Sequence, residues 1–143
     1  MEAVYKKLLN QSWISSGKCT NCDFKIIEQE YSVTLPKEYR QIISLSNGGE
    51  RQFEKTYFQL WTIEEILKRN QSYQIQKYLS KKVICFANDG DLAWVFDYRK
   101  SEFNPTVSIV PLGDLDFKSM KTIAKSFIDF VSKLINEEID TTS

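Results

Sequence analysis

The clearest pattern in the chain lies near its end. From Met120 the apolar positions are Met120, Ile123, Ala124, Phe127, Ile128, Val131, Leu134 and Ile135, with Lys121, Lys125, Asp129 and Lys133 on the polar side. This is the i, i+3, i+4, i+7 spacing of an amphipathic helix, and it predicts one over 119–135. Phe24, Ile27 and Tyr31 show the same spacing and predict a helix over 22–32, with Thr20 or Asn21 as its cap. That helix must end before Pro36, because the residue preceding a proline is pushed out of the helical region. Pro36 itself suits the first turn of another helix, where its missing N–H is harmless. Tyr39, Ile42, Ile43 and Leu45 supply the apolar positions of that helix over 36–46. Asn47-Gly48-Gly49 then ends it, since glycine accepts the left-handed backbone that closes a helix. Val4 and Leu8 place a short helix at 2–11, which Ser15-Ser16-Gly17 breaks.

The middle of the chain changes period. Tyr57 to Trp61 reads as a strand, with one of Tyr57 and Phe58 facing inward. Thr62-Ile63-Glu64-Glu65 has the capping-box form and predicts a helix from Ile63 to about Asn70. The polar stretch 71–82 has Ile75, Tyr78 and Leu79 as its apolar residues and reads as a second short helix. Val83 to Ala87 is an apolar run, Asn88-Asp89-Gly90-Asp91 a turn, and Leu92 to Asp97 an alternating segment, which together predict a β-hairpin. Val107 to Val110 is a further strand, followed by an acidic loop over 113–117. Trp61 and Trp94 fall in strands and are expected in the core, whereas Trp13 has polar neighbours and suits an exposed anchor. Helices first, antiparallel strands in the middle and a closing helix imply an α+β fold, a central mostly antiparallel sheet with helices packed on it. With no repeat and no linker, 1–143 reads as a single domain, in which 1–20 form an N-terminal extension and 136–143 a frayed tail.

Composition narrows what such a domain does. A chain of 143 residues buries roughly 70% of its unfolded surface and needs no metal or disulfide staple. Nineteen basic residues balance nineteen acidic ones, which argues against direct nucleic-acid binding, since that requires a basic excess to displace counterions. The charge is uneven along the chain: residues 36–82 hold nine basic and five acidic groups, residues 83–119 three and six. An acidic patch of that kind steers a basic partner. No window approaches the ~20 apolar residues of a membrane span, and the N-terminus lacks the apolar core of a signal peptide, so a cytoplasmic location away from membranes is expected.

The chain contains no histidine. That removes Ser-His-Asp and Cys-His catalysis and histidine metal sites. Cys19, Cys22 and Cys85 are an odd set and are expected as free thiols. Cys19 and Cys22 form a C-x-x-C, yet no strand precedes them as a thioredoxin-like unit requires, and no second pair is present for zinc. Asp89-Gly90-Asp91 lacks the twelve-residue ligand pattern of a calcium loop and reads as a hairpin turn. Asn47-Gly48-Gly49 follows a helix instead of opening one, so it reads as a helix end and not as a phosphate loop. Paired carboxylates remain the one catalytic option, with no second constellation to support them. The expectation is therefore a protein without catalytic residues, metal or cofactor.

Leu35-Pro36-x-x-Tyr39 followed by Asn47-Gly48-Gly49, with Glu28 upstream and the hairpin Val83 to Asp97, resembles the SUKH superfamily of Smi/Knr-type domains. The resemblance runs from about Phe24 to Leu134; one glycine stands in the central turn where members often have two. It implies an α+β domain and, in the bacterial immunity branch, a protein that binds and neutralises a cognate toxin, often a nuclease. A fungal branch implies the alternative, an interaction scaffold with no toxin. Nuclease sites are usually cationic, so Asp89, Asp91, Asp114 and Asp116 are the expected partner-binding residues if they share one face. Trp13, Tyr57 and the Lys68-Arg69 region come next.

Overall fold

The structure, a computed structural model, describes residues 2–19 and 21–142. The suggested Thr20 cap lies outside the described residues. The elements run α1 (Glu2–Leu8), β1 (Ile14–Ser15), α2 (Lys25–Tyr31), α3 (Lys37–Leu45), β2 (Gly49–Gln52), β3 (Tyr57–Leu60), α4 (Ile63–Tyr73), α5 (Ile75–Tyr78), β4 (Val83–Asp89), β5 (Leu92–Asp97), β6 (Thr106–Pro111), β7 (Lys121–Ala124) and α6 (Phe127–Ile135). The strands form one antiparallel sheet in chain order from β1 to β7. The α+β class therefore holds, as does the hairpin, which pairs Val83 with Asp97 and Asp89 with Leu92.

Four local expectations are corrected. The helix foreseen over 119–135 begins only at Phe127; residues 121–124 are instead strand β7, pairing Ala124 with Val107 and Lys121 with Ile109. Ser126 sets the start: its hydroxyl accepts the Asp129 N–H at 3.1 Å, and an N-cap residue cannot lie inside a helix. Upstream of it, β-branched Thr122 and Ile123 suit a pleated edge. The second correction concerns α3, which ends at Ser46 in extended backbone, not at a left-handed glycine. Gly49 instead opens β2 with φ +153°, and a Cβ there would sit 2.6 Å from the Trp13 ring. Trp13 is accordingly half-buried, its Nε1 donating to Ser46 Oγ at 2.9 Å, and does not stand out as an exposed anchor. Third, Leu45, assigned to the apolar face of α3, is 58% exposed. Fourth, the tail does not fray from 136: Ile139 is buried, and the Thr141 N–H donates to Lys55 O at 2.9 Å.

Aromatic rings hold one face of the sheet to the helices. Phe86 and Phe96 stack with centroids 4.1 Å apart, Tyr39 of α3 meets Phe96 edge-on at 5.2 Å, and Phe130 of α6 meets Trp94 at 4.9 Å. Such pairs contribute about 0.5–1.5 kcal/mol each beyond their burial. The opposite problem, an unpaired edge, arises on β4. Strand β3 reaches only Ala87 and Asn88, which leaves the start of β4 without a strand on that side, β5 pairing with the other. Helices α4 and α5 close that gap with side chains. Asn70 accepts the Cys85 N–H at 2.9 Å and donates to the Cys85 carbonyl at 2.8 Å, while Gln76 donates to the Val83 carbonyl at 2.9 Å. The capping box that begins α4 is present as read: Glu65 N–H donates to Thr62 Oγ1 at 3.2 Å and Thr62 N–H to Glu65 Oε1 at 2.9 Å.

Candidate partner-binding surface

The motif residues shared with the SUKH pattern serve the fold. Glu28 Oε2 accepts the Leu35 N–H at 2.7 Å and fixes the turn between α2 and α3. Tyr39 is buried among Phe86, Phe96 and Phe127. Asn47 Oδ1 accepts the Ile63 N–H at 2.8 Å, and Asn47 Nδ2 donates to the Glu64 carboxylate at 2.9 and 3.0 Å. The Asn-Gly-Gly segment thus ties the end of α3 to the start of α4.

The acidic residues separate into two groups. Asp89 turns inward: its Oδ2 accepts from Thr56 Oγ1 at 2.9 Å, from Tyr57 N–H at 3.3 Å and from the Thr141 hydroxyl. It is half-buried and engaged on three sides. Asp91, Asp114 and Asp116 are exposed. Gly90, with φ +55°, turns the hairpin so that Asp91 sits at its tip, and the Leu112 N–H donates to Asp91 O at 2.7 Å. The Asp114 N–H donates to Pro111 O at 3.1 Å, which keeps Asp114 beside that tip, and its Oδ2 accepts from Ser119 Oγ at 2.6 Å. Asp116 Oδ1 accepts the Lys118 N–H at 2.9 Å and so opens a short 3-10 turn, Phe117–Ser119. Asp97 lies at the far end of β5, bridged by Arg99 at 2.9 Å. Burial works to raise its carboxyl, but the hydrogen bonds and charge of Arg99 outweigh that and hold it below the ordinary carboxylate value. Arg99 in turn lies 4.3 Å over the Phe117 ring.

The thiols are not all free. The sulfurs of Cys19 and Cys22 are joined as a disulfide, with Cα atoms 5.4 Å apart, inside the range such a bridge requires. Among the described residues, the loop between β1 and α2 holds no helix or strand. Cys85 is free and buried, and burial pushes its thiol well above the ordinary value. Among the described residues no group of three His, Cys, Asp or Glu side chains gathers to hold a metal ion. Arg69 is occupied by Glu65 at 2.7 Å and lies 5.0 Å over the Trp61 ring. The part of this surface that sequence reasoning missed is the tail, which returns to the hairpin through Thr141.

A seven-stranded meander with α3 and α6 on its aromatic face defines a single-sheet α+β domain. Residues 18–133 match the model of the SMI1 / KNR4 family (SUKH-1), which is well over half of the chain, and the chain belongs to this family. The family includes immunity proteins and is one of protein partners. A search of curated proteins found no match. Among the described residues no helix is long and apolar enough to cross a membrane.

Proposed function

We propose that this chain is a cytoplasmic, non-catalytic immunity protein that neutralises a cognate toxin by direct one-to-one binding, the toxin being a nuclease with a cationic active site. Membership of the SUKH-1 family over residues 18–133 carries the reading. The exposed carboxylates support it: Asp91 at the hairpin tip, Asp114 beside it, and Asp116 further along the same loop. In this reading Asp89 supports the surface from behind instead of touching the toxin. Charge of this kind speeds encounter more than it deepens affinity. The test is co-expression with the toxin encoded beside this gene, followed by binding kinetics. Wild type rescues growth, and association slows as the Debye length falls from ~10 Å at 0.1 M salt to ~3 Å at 1 M. Changing Asp91, Asp114 and Asp116 to lysine slows association without unfolding the domain. Failure of wild type to rescue growth overturns the immunity reading. Unchanged kinetics in the triple variant leave the immunity reading and remove the acidic surface from it.

A further inference from the structure

The uneven charge along the chain has a second half. The acidic surface draws on residues 83–119, and the basic excess over residues 36–82 has no part in it. Two of those cations meet on α3. Lys37, Arg40, Ser44 and Leu45 fall at i, i+3, i+7 and i+8 and share one side of the helix. With Tyr5 of α1 and Phe24, just ahead of α2, they line an open groove of about 620 Å³. That volume is in the range of ligand sites. Leu45 stands exposed there and Phe24 is half-buried. The Tyr5 hydroxyl donates to Gln41 Oε1 and joins α1 to α3 along one wall.

The groove carries charge of one sign. Its lining holds two cations and, among the described residues, no carboxylate. Elsewhere Arg69, Lys82, Arg99 and Lys133 each answer a carboxylate. Among the described residues neither Lys37 nor Arg40 does so, and Arg40 Nε has no hydrogen-bond partner. Glu38 lines the adjoining cleft instead and borders the groove at Tyr5, whose phenol it helps to raise after the larger effect of burial. Of the exposed charges next to Tyr5 and Phe24 in sequence, Lys6 and Lys25 are basic and Asp23 is acidic. Unanswered cations beside exposed apolar side chains favour an occupant that is both acidic and apolar. The groove also lies apart from the acidic surface. The adjoining cleft shares Lys37 and Arg40 with it and is bounded by Asn104 and Pro105, at the start of β6, whereas the hairpin tip stands beside the end of that strand.

We propose that this groove is a second docking site, which takes an acidic–apolar segment of a protein partner. A carboxylate of the segment is held by Lys37 and Arg40, and an apolar side chain lies over Leu45 and Phe24. Arginine suits this task, because its planar fork offers a carboxylate two parallel donors. Arg40 and Leu45 are separated along α3 by a rise of roughly 7 Å, which matches side chains two positions apart on an extended segment. The site goes beyond the immunity function and does not depend on it.

The full chain, labelled with nitrogen-15, tests this with the peptide acetyl-Glu-Ser-Leu-Glu-Ser-Leu-amide as probe and its lysine counterpart as control. The amides of Tyr5, Phe24 and residues 40–45 should shift and saturate, while those of Asp91 and residues 113–117 stay in place. The lysine peptide should leave the groove amides unmoved, and the acidic peptide should bind more weakly at about 1 M salt. Lys37 and Leu45 are exposed, so substitutions there spare the core. Lys37→Glu should weaken peptide binding at least threefold and Leu45→Asp at least tenfold. No saturable shift at the groove, an equal response to the lysine peptide, or unchanged binding by both variants overturns the proposal. Movement of the same amides on concentrating the protein alone, with a dimer in sedimentation, also overturns it and makes the occupant a second copy of the chain. The two readings fail separately. Growth rescue with a silent groove leaves the immunity function alone, whereas peptide binding without growth rescue leaves the groove alone.

Discussion

The two ends of the sheet's aromatic face are held by different forces. Under α3 and α6 the rings of Tyr39, Phe86, Phe96, Phe127 and Phe130 interlock, and nothing polar is needed to fix them. At the hairpin end the closing contacts are hydrogen bonds, those of Thr56, Tyr57 and Thr141 on Asp89. A packed end loses contacts with every methylene removed. An end tied by half-exposed hydrogen bonds gives way for about 1 kcal/mol each. The hairpin end is thus the one free to adjust, while the other keeps the sheet in shape.

Substitutions at the packed end should cost most. Phe127→Ala should lower stability by about 3–5 kcal/mol in chemical denaturation, since it removes a ring that touches Tyr39, Phe86 and Phe96. A loss under ~1 kcal/mol would erase the difference between the two ends. Asn70→Ala sharpens the comparison by placing hydrogen bonds where water cannot replace them. It orphans both backbone groups of Cys85 and should cost about 2–4 kcal/mol by the same measurement. Thr141→Val, which removes one hydroxyl from Asp89, should cost only about 1 kcal/mol and leave the far-end rings undisturbed in near-ultraviolet circular dichroism. A pH effect should be smaller still. Asp97 has a lowered carboxyl in the fold, so its contribution is fully present above the unfolded value of about 3.9 and is lost as pH falls through the folded value below that. Denaturation of Asp97→Asn should therefore show a flatter loss of stability in that acid window than wild type. A matching slope in the two proteins would assign the acid loss to other carboxylates.

Much of the fold was legible because its signals are local. The capping box at Thr62 and Glu65 sits within four residues, and the hairpin turn within Asn88 to Asp91. The misreadings arise where neighbours far along the chain decide. The apolar repeat from Met120 runs unbroken across β7 and α6, so the boundary shows only in the capping of Ser126. Strand β2 is Gly-Glu-Arg-Gln, without alternation, and exists because β1 and β3 flank it. Asp89 looks from sequence like any other turn carboxylate; its hydroxyl partners Thr56 and Thr141 lie 33 and 52 residues away. Of the four carboxylates selected for the partner surface, three stand exposed and one is spent on the fold.

Strand β7 is the outermost strand of the sheet, and outer strands are where separate molecules join into fibres. Lys133 reaches from α6 and fills the Ile123 carbonyl of that strand with its ammonium. A second molecule arriving edge-on meets a cation where it needs an open acceptor. At the opposite border β1 is two residues long and offers too short a template. Edge-to-edge pairing is thus discouraged at both borders of the sheet, at one by the charge of a single lysine and at the other by brevity.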